Sequence, residues 1–205
     1  TSRGLGDVYK RQIISSLISG QQVDFEDIYT EGITKVSRKD MMYAKEMGMT
    51  IKLLASSKRH ENHLHAIVSP ALLGKDHPLY NVDDVFNAVF VRGNVLGDAM
   101  FYGSGAGKLP TASAVVADVV DEAKHLHRNI MTMWKSEKLE LLPIEDTVRR
   151  FFIRFSGTPQ DLKEKVENCF GPGRVVQVPE LEDEFGYMLS LIPISEPTRR
   201  RGISY

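Results

Sequence analysis

Between Phe101 and Pro110 the chain sets three glycines, Gly103, Gly105 and Gly107, at alternate positions between two apolar runs of different period. Val85 to Val91 reads as a strand, and a second apolar patch ends at Met100-Phe101-Tyr102. Beyond the glycines, Val115, Val116, Val119, Val120 and Ala123 fall on one face of a helix spanning about residues 110–129. Glycines in that position let the backbone approach another group closely and adopt positive φ. Pro110 suits a first helical turn, where its missing N–H has no intrahelical partner. A glycine loop opening a helix gathers free N–H groups and the positive end of the helix dipole, which favours an anion or a polar cofactor edge.

Two familiar phosphate loops are excluded by spacing. A Walker A loop needs four residues between its glycines and then Lys-Ser/Thr, whereas three separate Gly103 from Gly107 and Leu109 stands where the hydroxyl is needed. A Gly-x-Gly-x-x-Gly fingerprint needs its third glycine one residue later, where Lys108 stands. On the residues alone, two readings stay open: a loop that contacts a ligand, or a tight turn that lets a helix pack on a strand.

With 205 residues the chain can bury a real core, and 42% hydrophobic content with a net charge of −1 describes an ordinary globular composition. The balanced charge argues against a dedicated nucleic-acid or membrane-surface binder. No apolar run is long enough to span a membrane and no secretory signal shows, so the cytosol is the expected compartment. One cysteine, Cys169, excludes a disulfide framework and any cysteine-rich metal site.

The two ends carry a signal of another kind. Asp7-Val8-Tyr9-Lys10-Arg11-Gln12 can be encoded by GAT GTG TAT AAG AGA CAG, whose reverse complement reads Leu-Ser-Leu-Ile-His-Ile. Residues 189–194 are Leu-Ser-Leu-Ile-Pro-Ile, one base away. Complementary ends of this kind read as a sequencing adaptor, so residues 1–12 and 189–205 are expected to be adaptor-derived and the natural protein longer at both ends. The Arg199-Arg200-Arg201 cluster then says nothing about nucleic acid.

Along the remaining chain, Ile13, Ile14, Leu17 and Ile18 form an apolar helical face ending near Gly20. Ser37 with Asp40 approximates a capping box for a helix ending at Gly48. Met49 to Ala55 and His63 to Ser69 read as paired strands around a polar turn at 56–62, with Pro70, Pro78 and Asn81 in an extended connection. A boundary is expected within 131–146. Past it come a strand at 149–155 with Phe151, Ile153 and Phe155 on one side, a helix carrying Leu162, Val166 and Phe170, a stop at Gly171-Pro172-Gly173, and a strand at 175–178. That βαβ unit is about half of a ferredoxin-like domain.

The blocks Glu31-Gly32-Ile33-Thr34, Tyr43-Ala44-Lys45-Glu46, Ile51-Lys52-Leu53-Leu54, His77-Pro78-Leu79, Asn81 to Val89 and above all Met100 to Ala114, in this order, resemble homoserine dehydrogenase. The resemblance covers roughly residues 13–130. It implies an α+β fold with a mixed sheet packed with helices. Residues 13–137 would be a truncated substrate and dimerisation domain, and 138–188 a linker with an incomplete ACT-like unit. Ser156-Gly157-Thr158-Pro159 departs from the Asp-x-Pro-Gly turn of such units. The implied chemistry is reduction of aspartate 4-semialdehyde to homoserine by NADPH or NADH in threonine and methionine biosynthesis, in a homodimer. The family's dinucleotide-binding glycine loop and most of its homoserine-binding carboxylates would lie upstream of Ile13, so this chain alone is expected to be inactive.

In the family the loop at Gly103, Gly105, Ala106 and Gly107 reaches the nicotinamide side of the cofactor, through backbone N–H and C=O groups. An ungapped register sets Lys10 at the family's proton-transfer lysine, but Gly6 stands at the family's aspartate and Lys10 lies inside the adaptor-like segment, which makes the match a coincidence of register. The remaining candidates have plainer readings. His60, His63 and His65 suit an exposed turn better than a metal site. His125 and His127 suit a helix C-terminus, and Asp83-Asp84 a turn. Residues 180–184 suit a solvated acidic edge, Met41, Met42, Met47 and Met49 core or dimer packing, and Cys169 a buried helix position.

Overall fold

The computed structural model describes residues 5–60, 63–128, 135–190, 192–193 and 203–204. Its first elements are α1 (Leu5–Ser19), β1 (Gln21–Gln22), β2 (Tyr29–Thr30) and α2 (Arg38–Glu46). Then come β3 (Met49–His60), β4 (His63–Gly74), β5 (Phe86–Gly93), β6 (Gly97–Ser104) and α3 (Lys108–Lys124). The rest holds β7 (Lys135–Lys138), β8 (Val148–Arg149), β9 (Phe151–Ser156), α4 (Pro159–Phe170), β10 (Gly173–Val176) and β11 (Glu184–Leu189). Two short strands close the chain, β12 (Ile192–Pro193) and β13 (Ile203–Ser204). The chain divides into two compact units, residues 1–73 with 134–205, and residues 74–133.

The first unit is built on a mixed sheet of order β10-β11-β9-β13-β4-β2, with β3 also paired to β4. β2 and β13 run parallel to β4, while β9, β11 and β10 are mutually antiparallel neighbours. Since β11 lies between β9 and β10, and α4 connects those two, this end of the sheet is a split βαβ arrangement. The alternation expected along β9 is present: Phe151 and Ile153 enter one core cluster with Val166, Phe185 and Tyr187. Phe152, on the opposite face, is buried as well, against Tyr43, Leu72 and Met188. A strand covered on both sides is apolar on both sides. The α2 capping box is complete, with Ser37 and Asp40 bonded reciprocally, and Gly48 follows at φ 68°.

The structure corrects parts of the sequence reading. β3 continues through the expected polar turn to His60, and β4 runs through Pro70, which falls between its pairing to β2 at Val68 and to β13 at Ala71. Main-chain ladder bonds persist where side chains turn polar. On α1, Ile13, Leu17 and Ile18 are exposed, and among its described side chains the buried ones are Ser15 and Ser16. Each serine is satisfied, Ser15 by the Ser57 hydroxyl at 2.6 Å and Ser16 by accepting from the Val23 N–H at 3.0 Å. Cys169 is exposed, one position round α4 from the stripe formed by Leu162, Val166 and Phe170. Met41 is exposed, while Met42, Met47 and Met49 pack against the Tyr43 cluster.

The second unit is an antiparallel hairpin of β5 and β6, paired from Phe86–Ser104 to Gly93–Gly97, followed by α3. α3 ends at Lys124, short of the expected 129, with His125 as its C-cap. No described residue between 75 and 128 is buried. No helix of the described residues is long and apolar enough to cross a membrane.

Candidate functional site

β6 delivers the chain into the glycine loop in the second unit, and α3 takes it away. Gly103 pairs with Asn87, one step before the ladder ends at Ser104 and Phe86, and the Phe86 and Tyr102 rings stack beside it, 4.9 Å apart. Gly105 N–H donates to the Val85 carbonyl at 3.3 Å. Gly107 is the N-cap of α3 at φ 116°, a conformation that side-chain-bearing residues rarely adopt, and no side chain caps the helix. Its carbonyl accepts from Thr111 N–H at 3.2 Å, closing the first turn. The N–H groups of Lys108 and Leu109 ahead of it have no intrahelical acceptor, because a helix leaves its first donors free, and Pro110 carries none.

Two of the three glycines have separate structural reasons. Gly107 is required by its φ, and Gly105 by space, since a Cβ there would stand 2.5 Å from Asn87 Nδ2. A Cβ at Gly103 would meet nothing within 4 Å, so packing within the described chain does not require glycine at that position. Ala106 lies between the two constrained glycines and is exposed. Free amides, a dipole end and an unobstructed backbone together suit an anionic or polar ligand edge. Lys10 is an exposed residue of α1, in the first unit.

The histidine and acidic expectations fare unevenly. His63 is exposed, but His65 is buried within β4 and lines a cleft of about 760 Å³ with Glu26, Asp27, Glu140 and Glu145. Burial first, then the charges of Arg149 and Lys58, push the His65 pKa down to about 4. No group of three or more His, Cys, Asp or Glu among the described residues is placed to hold a metal. His125 Nδ1 lies 2.8 Å from the Asp121 carbonyl at the end of α3, and Asp84, at φ 57°, forms the turn into β5. Glu184 is not on a solvated edge.

Instead Glu184 sits in an ion network that the sequence reading missed. Arg154 Nε donates to Asp40 Oδ1 at 2.7 Å and Arg154 Nη1 to Glu184 Oε1 at 2.9 Å, while Lys39 pairs with Glu184 Oε2. Burial works against ionisation of Glu184, but the hydrogen bonds from Lys39 and Arg154 hold its carboxyl below the usual range. The network lines a cleft of about 670 Å³ in the first unit. The visible signal was a single arginine inside the otherwise apolar run Phe151-Phe152-Ile153-Arg154-Phe155, a charge that needs partners.

The homoserine dehydrogenase family model matches residues 3–120. A homoserine dehydrogenase of Synechocystis sp. is 42% identical over 165 residues, covering 74% of this chain and 38% of that protein. One from Pseudomonas aeruginosa is 31% identical over 208 residues, covering 98% of this chain and 45% of that protein. The crystal structure of a homoserine dehydrogenase from Thiobacillus denitrificans superposes with a TM-score of 0.75 at 31% identity, over 95% of this chain and 47% of that one. This chain therefore spans less than half the length of each of these three relatives. The family match includes the glycine loop and the α1 segment carrying Lys10, and it shows that the chain belongs to the homoserine dehydrogenase family.

Proposed function

We propose that this chain is the substrate-domain portion of an enzyme that reduces aspartate 4-semialdehyde to homoserine with NADPH or NADH, working as a cytosolic homodimer through residues 13–137. The observation that carries the reading is Gly103, a glycine that neither backbone strain nor packing requires, beside the uncapped start of α3. Gly103, Gly105, Ala106 and Gly107 would hold the nicotinamide end of the dinucleotide, which supplies the hydride. The loop contributes N–H and C=O groups, not a proton-transferring side chain. In the family that role belongs to a lysine shortly before the segment matching Ile13-Ile14; Lys10 stands in the ungapped register but inside the adaptor-like segment, a coincidence of register. Sequencing the source DNA upstream of the Ile13 codon decides whether Lys10 is native.

In the full-length enzyme, Gly103→Val is expected to raise KM for the dinucleotide about tenfold or more, an order set by the loss of close backbone contacts, with the fold retained. An unchanged KM would leave the loop as a structural turn. The 205-residue chain alone is expected to show no turnover of homoserine with NADP⁺, and any turnover would overturn that part of the reading. The split βαβ order of β9, α4, β10 and β11 favours a second reading, in which an ACT-like amino-acid-sensing module is the functional half. Threonine binding by this chain without dinucleotide binding would support it.

A further inference from the structure

The geometry points to Arg154 as a latch that holds the first turn of α2 against the β9–β11 end of the sheet and can release it without unfolding the sheet. The three donating nitrogens of one guanidinium are divided between two elements. Nε reaches Asp40 Oδ1 at 2.7 Å and Nη2 reaches Ser37 Oγ at 3.4 Å, both at the N-terminus of α2. Nη1 reaches Glu184 Oε1 at 2.9 Å, at the start of β11. Asp40 is shared as well: its Oδ2 accepts from the Ser37 N–H at 2.7 Å and the Ser37 hydroxyl at 2.6 Å. The carboxylate that caps α2 is thus the one that the latch grips. Lys39 adds a second tie from α2 to Glu184.

Burial decides that this is more than a surface pair. The Arg154, Asp40 and Glu184 side chains are 28%, 10% and 12% exposed, so removing one leaves its partners desolvated and unmatched. The body of α2 is held separately, by Tyr43 and Ala44 in the cluster with Phe152 and Met188. Only the first turn depends on the ions, and the cleft that they line together with Lys35 and Arg38 gives water and salt access to them. Arg154 stands two residues before Ser156, at the β9–α4 turn that lines the same cleft. Arg154 therefore links that turn to the first turn of α2, alongside the packing of Phe152 on Tyr43.

Amide hydrogen exchange on the full chain tests the latch. Arg154→Met is expected to speed exchange at Asp40, Met41 and the start of β11 by roughly tenfold or more, while Ile67 and Val68 in β4 stay at the wild-type rate. Arg154→Lys, which keeps the charge but not the fork, is expected to fall between. Combined with Asp40→Asn, Arg154→Met should add less than its effect in the wild-type background. Wild-type exchange at Asp40 and Met41 in both Arg154 variants overturns the latch. So does a uniform rise across the first unit, which marks plain destabilisation.

Discussion

His65 occupies a position where an ordinary residue type becomes acid-sensitive. It is 8% exposed, and its pKa falls to about 4 because the cationic form would be desolvated beside Arg149 and Lys58. Unfolded, the imidazole titrates near 6.5. Between those values the unfolded chain binds a proton that the folded one rejects, so stability falls as pH drops from about 6.5 to about 4 and then levels. The ceiling on this contribution is about 3 kcal/mol. His65→Gln should flatten the difference in urea midpoint between pH 7 and pH 4.5 relative to wild type. Parallel midpoints in the two proteins would refute the assignment. Tyr43 makes the opposite case. Its ring is fully buried against Phe152, and its hydroxyl, with no hydrogen-bond partner among the described groups, is pushed up to about 12 by burial and then Glu184. Tyr43→Phe should therefore leave stability unchanged or raise it by about 1 kcal/mol, whereas Tyr43→Ala should cost about 3–5 kcal/mol through the cavity left behind. Both are read from equilibrium urea unfolding. A clear loss in Tyr43→Phe would mean that the hydroxyl has a partner after all.

Helix caps and strand alternation were readable because they depend on neighbours in sequence. Ser37 and Asp40 are three residues apart and form their capping box, so Ser37→Ala should cost about 1 kcal/mol in urea unfolding. The same variant also removes the Nη2 contact of Arg154, and a loss well below that size would count against the box. β9 and α4 were legible for the same reason, through the alternation of Phe151, Ile153 and Phe155 and the stripe of Leu162, Val166 and Phe170. Long-range partners were not legible. The place of Arg154 between Asp40 and Glu184 joins residues far apart in sequence; the lone arginine in an apolar run says that it needs partners, but nothing local says which. Nor did local pattern say that Ser15 and Ser16, rather than their apolar neighbours, are buried on α1, since that depends on Ser57 and Val23. In the glycine loop, position and helix start were foreseen from sequence, but the separate reasons for Gly105 and Gly107 needed the coordinates of Asn87 and the Gly107 backbone.

At the scale of the whole molecule the two units differ in how they are held. In the first, clusters centred on Ile153, Val68 and Tyr43 bury both faces of the sheet. In the second, Phe86, Val89, Met100, Phe101 and Tyr102 on the hairpin and Val115, Val116, Val119 and Val120 on α3 are exposed. An isolated two-stranded hairpin is marginal in water, and an amphipathic helix owes most of its stability to the surface that covers its apolar face. The relatives are more than twice as long as this chain, and under the proposed function these faces are expected to be covered in a longer protein. In the 205-residue chain, amides of β5 and β6 should therefore exchange at least about a hundredfold faster than those of β9 and β11, because local opening costs little where nothing is buried. In the full-length protein that gap should close. Equal protection of the two strand pairs in this chain would show that β5, β6 and α3 form a self-sufficient unit, and the apolar faces would then need no cover.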